Sequence, residues 1–232
     1  MEPKVEYVHG LFTRIAERYD VLNRALTFGI DVSWRRRALS MLETPGDALD
    51  LATGTADLAI GMARRFPAAR VTGVDLTPAM LALGRRKVEA AGLEDRVKLA
   101  EGNALSLGFP DEAFDVVTCA FGFRNFPDRG TALRECSRVL RPKGTLLVLE
   151  LFRMESRFWA WTTSTWLRLV SPLLAGGTKA DYVYLRKSIE QTASAAEFIA
   201  LAGEHGFAVE RRAFFLPSCH CLKLRKYDKL AI

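Results

Sequence analysis

The chain has 232 residues and a mass of 25.8 kDa, enough for one ordinary domain or one domain with a small cap. With 49% hydrophobic and 26% charged residues it can bury a core, which excludes disorder and collagen-like structure, and no apolar run reaches the ~18 residues of a membrane-spanning helix. The net charge of +6 sits in the flanks: residues 1–40 carry 7 Lys/Arg against 5 Asp/Glu, residues 41–150 carry 14 against 15, and residues 151–232 carry 12 against 7. No dense basic stripe with interleaved aromatics marks a nucleic-acid binder, while the basic flanks suit an anionic membrane surface.

Thr44-Pro45-Gly46-Asp47 breaks the chain, and Ala48-Leu49-Asp50-Leu51-Ala52 reads as a buried strand. Asp57 to Phe66 places Leu58, Met62 and Phe66 on one helical face. Val71 to Asp75 is a second strand, after which Thr77 is placed to cap a helix with Pro78 at its first position. Val97–Glu101 and Phe114–Ala120 are the third and fourth strands, and Thr131–Leu140 is a helix. Arg141-Pro142-Lys143-Gly144 then turns the chain into a fifth strand, Thr145–Glu150. The order β-α-β-α-β-β-α-β, with strands too apolar to leave a face in water, predicts an α/β fold: a mostly parallel sheet with helices on both faces. Ligands of such sheets bind beyond the carboxyl ends of the strands, so chemistry is expected just after each one.

Asp50-Leu51-Ala52-Thr53-Gly54-Thr55-Ala56-Asp57 follows the first strand, where Gly54 permits a tight turn and close approach of a ligand. Asp75, at the end of the second strand, can accept hydrogen bonds from both hydroxyls of an adenosine ribose. NAD and S-adenosylmethionine both fit this pair. A dinucleotide loop wants Gly-x-Gly-x-x-Gly for its pyrophosphate, and this run offers Gly54 with Ala56 where a second glycine would help; the phosphate-free methyl donor is favoured. Asn103 and Ala104, after the third strand, are placed to meet the adenine edge. After the fourth strand comes Ala120-Phe121-Gly122-Phe123-Arg124-Asn125. Its aromatics suit either an apolar pocket near a sulfonium or the core, and Arg124 and Asn125 are its strong hydrogen-bond donors.

The chain resembles the ubiquinone/menaquinone C-methyltransferase family from about His9 to Ile189. The narrow signatures are Arg18-Tyr19-Asp20-Val21-Leu22-Asn23, Leu26-Thr27-Phe28-Gly29-Ile30 with Trp34, and Phe121-Gly122-Phe123-Arg124-Asn125. Arg138-Val139-Leu140-Arg141-Pro142 and Tyr184-Leu185 with Ser188-Ile189 accompany them. The resemblance implies a Rossmann-like class I S-adenosylmethionine-dependent methyltransferase that methylates a prenylated quinol ring, demethylmenaquinol foremost. It implies donor contacts at Thr55, Asp75, Asn103, Ala104 and Ala120, beside the loop residues Asp50 and Gly54. It also implies a helical lid, residues 1–43, that brings Tyr19, Asp20 and Asn23 to the site. The rest then divides into a donor-binding core at 44–151, an apolar insert at 152–180 and a sheet-completing segment at 181–232, all one methyltransferase domain. The chain departs from the family at Ala56, where Gly is usual, at Asp31, where His is common, at Phe152, where Ser is common, and most of all over Ser218 to Lys226.

For the chemistry, Arg124 is a poor base and is expected to stabilise a developing phenolate, with Asn125 holding the ring or a water. Asp20, Tyr19 and Tyr182 are the candidates for proton transfer, and Phe121 and Phe123 for the substrate pocket. Residues 152–174, with Phe158, Trp159, Trp161 and Trp166 between Arg153, Arg157 and Arg168, suit either an interfacial segment or a lid over the substrate tail. Cys219-His220-Cys221 in a strand sends its His to the other face, so no metal is expected. The start, Met1-Glu2-Pro3-Lys4, shows no charged-then-apolar run, so no secretory leader is expected, and the expected setting is cytoplasmic, peripheral at the inner face of the membrane. The expected partners are the quinol, the membrane and a second copy of the chain. Two alternatives stand beside this reading: a methyltransferase of the same fold acting on another small molecule, and a non-catalytic donor-binding module.

Overall fold

The computed structural model describes residues 3–169 and 179–227, with the side chains of 3–4, 166–169 and 179–182 excepted. Seven strands form one sheet in the order β3-β2-β1-β4-β5-β7-β6. They are β1 (Asp47–Leu51), β2 (Arg70–Asp75), β3 (Val97–Glu101), β4 (Phe114–Ala120), β5 (Leu140–Leu151), β6 (Phe207–Phe214) and β7 (Cys219–Lys226). The first five are parallel, and β7 enters antiparallel between β5 and β6. The expected parallel α/β sheet is present, and the strand order reverses between β1 and β4, the switch point where ligands gather.

Helices α1 (Pro3–Ile15), α2 (Tyr19–Thr27) and α3 (Ile30–Leu39) precede the sheet. Next come α4 (Asp57–Arg65), α5 (Pro78–Ala90), α6 (Arg129–Val139), α7 (Arg157–Leu169), α8 (Lys179–Glu190) and α9 (Ala195–Glu204). One core layer packs α3 and α4 on the sheet, through Trp34, Leu39, Leu58 and Met62; the other packs α6 and α9, through Leu133, Val139 and Phe198. Three local expectations differ. Phe66 leaves the helix for an extended conformation because Pro67 disfavours helical backbone in the residue before it. Thr77 makes no side-chain cap; its backbone N–H instead donates to Asp75 Oδ1 at 2.9 Å. Arg141–Gly144 belongs to β5 as an irregularity in its pairing with β4, not to a turn before it. In β7, Cys219 and Cys221 enter one core layer while His220 turns to Phe152 and Phe214.

Asp50 is the buried polar joint of the sheet. At 1% exposure it accepts from Thr118 Oγ1 on β4 at 2.6 Å and from Thr53 Oγ1 at 2.7 Å. Burial raises its pKa to about 6, against the opposing pull of those hydroxyls. The folded state therefore holds a proton that the unfolded state has lost between about pH 4 and pH 6, and this carboxyl makes stability fall as pH rises through that window. Asp50→Asn removes the titration. Its stability relative to wild type, from denaturant titrations, should rise between about pH 4 and pH 7 by up to about 3 kcal/mol; a difference independent of pH counts against it.

Candidate active site

Beyond the ends of β1, β2 and β4 lies a cleft of about 120 Å³. Ala52 and Gly54 follow β1, Asp75 ends β2, Asn103, Ala104 and Leu105 follow β3, Ala120 ends β4, and Phe121 and Gly122 follow it. Helix α1 covers the cleft with Val5, Val8, His9 and Phe12. Gly54 takes φ +56°, and a Cβ on Gly122 would lie 2.6 Å from Cys119 Sγ and 2.8 Å from Ala52 Cβ, so only glycine lets these two strand ends meet. Ala52, Ala56 and Phe121 hold left-handed backbone without being glycine, which concentrates strain around the cleft.

Two backbone N–H groups, from Gly54 and Thr77, each donate at 2.9 Å to an oxygen of Asp75. Burial raises its pKa, and those donors oppose the rise. The carboxylate is thus fixed in place with lone pairs to spare for a ribose diol. Leu76, Met80 and Phe126 offer apolar surface for a base, and among the cleft's lining residues there is no Lys or Arg to meet a phosphate. This donor set fits the adenosine of S-adenosylmethionine and not a dinucleotide.

A second cavity, of about 500 Å³, adjoins the first. Its wall is largely apolar, from Leu11, Ile15, Leu22, Leu26, Trp34, Leu151 and Ile189, with Asn23, Asp31, Arg35, Arg124, Tyr184 and Ser218 as polar points. Phe12, Tyr19 and Phe121 line both cavities and form the partition. Arg124, 9% exposed, is the middle residue of the short 3₁₀ turn after β4. Its Nη1 donates to Glu150 Oε1 at 2.8 Å and to the Phe121 carbonyl at 2.6 Å, while its Nε is buried without a partner. Burial would lower its pKa, but Glu150 outweighs it and the guanidinium stays charged. Tyr184 donates to Asn125 Oδ1 at 2.8 Å, and burial raises its pKa against the pull of Arg124, so it remains a neutral hydroxyl.

The sequence profile of the ubiE/COQ5 methyltransferase family matches residues 1–215. A demethylmenaquinone methyltransferase of Thermus thermophilus is 47% identical over 204 residues, covering 86% of this chain and 92% of that protein. The chain belongs to the ubiE/COQ5 methyltransferase family. A ubiquinone/menaquinone biosynthesis C-methyltransferase of Geobacter sulfurreducens is 39% identical, covering 88% and 82%. Among solved structures, an S-adenosylmethionine-dependent methyltransferase from Aquifex aeolicus superposes with a TM-score of 0.63 at 17% identity, covering 83% and 89%. The [4+2]-cyclase SpnF reaches 0.71 at 17%, covering 95% of each chain. That second likeness shows a shared fold with a different reaction, so chemistry must be argued from the site. The chain is a methyltransferase of the S-adenosylmethionine-dependent, Rossmann-like class.

The methyltransferase site departs from several sequence expectations. Asp20 lines neither cavity. Its Oδ1 accepts from Thr55 Oγ1 at 2.7 Å and its Oδ2 from Lys87 Nζ at 2.7 Å. Lys87 also pairs with Asp57, Asp57 with Arg24, and Asp31 with both Arg24 and Arg35. Burial would raise the Asp57 carboxyl, but Lys87 and Arg24 hold it below its usual range. Three acids and three bases thus latch α2 and α3 onto α4, α5 and the Gly54 loop. The structure places the Asp20 carboxylate in this latch with Thr55 and Lys87 and outside the lining of both cavities, apart from the proton-transfer position expected of it. Thr55 serves the latch with its side chain, Asp50 is sealed in the sheet, and Phe123 packs in the core at 5.1 Å from both Phe126 and Phe198. The Tyr182 side chain lies outside the described residues. Sequence reasoning missed Arg35, because its position depends on how the lid docks; Trp34 and Tyr184 stood in quoted signatures without a role, and the cover from α1 is where the expected lid lies. Asp20→Asn should keep the single-turnover rate at saturating donor within about threefold of wild type while hydrogen exchange in α1 and α2 accelerates. A large rate loss with unchanged exchange would return Asp20 to the chemistry.

Proposed function

We propose that this enzyme transfers the methyl group of S-adenosylmethionine to a ring carbon of a prenylated quinol, demethylmenaquinol foremost. The supporting observation is the shared partition: a fixed ribose acceptor on one side of Phe121 and a roomy apolar cavity holding Arg124 on the other. The donor supplies an electrophilic methyl on sulfur. Asp75 and the Gly54 loop hold its nucleoside, and the rings of Phe12, Tyr19 and Phe121 exclude water and aim the acceptor carbon. Arg124 stabilises negative charge on the acceptor oxygen, and Asn125, oriented by Tyr184, braces the ring or a water there. Product analysis with demethylmenaquinol and a demethoxyquinol analogue tests the reading; methylation of neither overturns it.

The substrate's tail requires a bilayer, and we propose that the enzyme works peripherally on its surface. No helix among the described residues is long and apolar enough to cross a membrane. On α7, Trp159 lines the acceptor cavity while Phe158 and Trp161 stand 62% and 66% exposed, and Leu216 and Phe214 add apolar surface on β6 and the turn after it. The helix therefore suits both expected roles, cavity wall and interfacial anchor. Phe158→Ser with Trp161→Ser should weaken binding to vesicles containing anionic lipid by about tenfold and spare turnover of a short-tailed, water-soluble quinol. Unchanged vesicle affinity removes this face from the proposal.

A further inference from the structure

Arg35 is a cation that no expectation placed in the site. It projects from α3 into the acceptor cavity, with only 11% of its side chain exposed. Its guanidinium carbon sits 5.3 Å from the centroid of the Phe121 ring, the partition between donor and acceptor. Its Nη1 donates to Asp31, and Asp31 is shared with Arg24 and Thr27. Among the described residues, the Nε and Nη2 donors have no hydrogen-bond partner. Arg124 approaches Phe121 from the other end, through its carbonyl, beside Asn125, which lines the donor cleft. One cavity therefore holds two guanidiniums, one packed on the Phe121 ring and one bonded to the Phe121 carbonyl. Arg124 adjoins Asn125 of the donor cleft, and Arg35 stands where the cavity wall meets the outer groove of α3 and α4.

A quinol presents two oxygens across its ring, one beside the carbon that is methylated and one remote from it. Resting on the quinol reading above, we propose that Arg35 binds the remote oxygen while Arg124 faces the near one, so that the pair fixes which ring carbon meets the methyl. The step balances with no further reagent. The near hydroxyl gives its proton to solvent, the ring carbon bonds to the methyl, and the carbon–sulfur pair stays on sulfur. The ring then loses its own C–H proton and the oxygen is reprotonated, for a net release of one proton. Arg35 exchanges no proton in this; it donates hydrogen bonds and orients.

The test is a cycle between the residue and the oxygen it is assigned. Wild type, Arg35→Met, Arg35→Lys and Asp31→Asn are assayed with a prenylated naphthoquinol and with the prenylated naphthol that keeps the hydroxyl beside the reacting carbon and lacks the other. Arg35→Met should lower kcat/KM for the quinol at least about tenfold, with donor Kd within about threefold, and should cost the one-oxygen naphthol less than about threefold. Arg35→Lys should recover part of the loss, since an ammonium reaches one donor without the fork. Asp31→Asn, which loosens the latch and keeps Arg35, should affect both acceptors alike. Equal losses for Arg35→Met on both acceptors would overturn the assignment and leave Arg35 a brace for Asp31. Wild-type turnover of neither acceptor would instead sink the quinol reading itself.

Discussion

Replacing Arg124 and Glu150 together, as Arg124→Met with Glu150→Gln, is expected to give a folded protein with near-normal donor affinity whose single-turnover methylation is at least about 100-fold slower. The double change is needed because Arg124 has two jobs. Its guanidinium neutralises Glu150, a carboxylate exposed to only 1%, and its backbone N–H donates to the same side chain at 3.1 Å. Arg124→Ala alone strands a buried charge, a loss on the order of 3–5 kcal/mol, and would confuse instability with lost chemistry. Glutamine retains an acceptor for one of the two backbone amides, of Arg124 and Leu151, that bond the Glu150 oxygens, and methionine fills the guanidinium's volume. What the pair then lacks is the positive charge beside the acceptor oxygen. Arg124→Lys should recover only part of the rate, because its point charge cannot face Glu150 and the acceptor together. A double variant that is stable and within about threefold of the wild-type rate would confine Arg124 to bracing.

Asp75→Ala should raise the donor's dissociation constant tenfold or more, since charged hydrogen bonds to a ribose diol contribute roughly 1.5–3 kcal/mol. Part of the loss is indirect. The carboxylate also holds the Gly54 and Thr77 amides, so its removal frees the loop that carries Gly54 at positive φ. Asp75→Asn keeps an acceptor for one amide and separates the two contributions: a smaller loss than alanine assigns the difference to the loop. Calorimetry that finds wild-type donor affinity in Asp75→Ala would move the nucleoside elsewhere.

The donor cleft was legible because its residues follow strand ends, and strand ends are fixed by apolar runs and glycine. Asp75, Asn103, Ala104 and Ala120 sit where the run of strands put them. The latch was not legible. Asp20, Arg24, Asp31, Arg35, Thr55, Asp57 and Lys87 are scattered over nearly 70 positions, and a charge on a helix reads as a solvated face until its partner's helix is placed. Asp31 illustrates the limit: it stood out as a departure from the family, and only the docked lid reveals that it serves two arginines at once. Phe121 and Phe123 were equal candidates two residues apart. The left-handed backbone at Phe121 turns its ring onto the partition, while Phe123 falls back into the core against Phe198.

The cover from α1 has a kinetic meaning. At about 120 Å³ the cleft beneath it is smaller than the roughly 300–1,000 Å³ of ordinary cofactor pockets, so movement of α1 is the expected gate for a nucleoside. Lifting α1 also disturbs Phe12 and Tyr19, which close the neighbouring cavity, so the exits for the spent donor and the methylated ring open in one motion. Phe12 belongs to α1, so the helix over the donor cleft also forms part of the acceptor's wall, and its motion is expected to bear on release from both. Substitutions far out on the lid can set turnover while leaving the bond-making step alone.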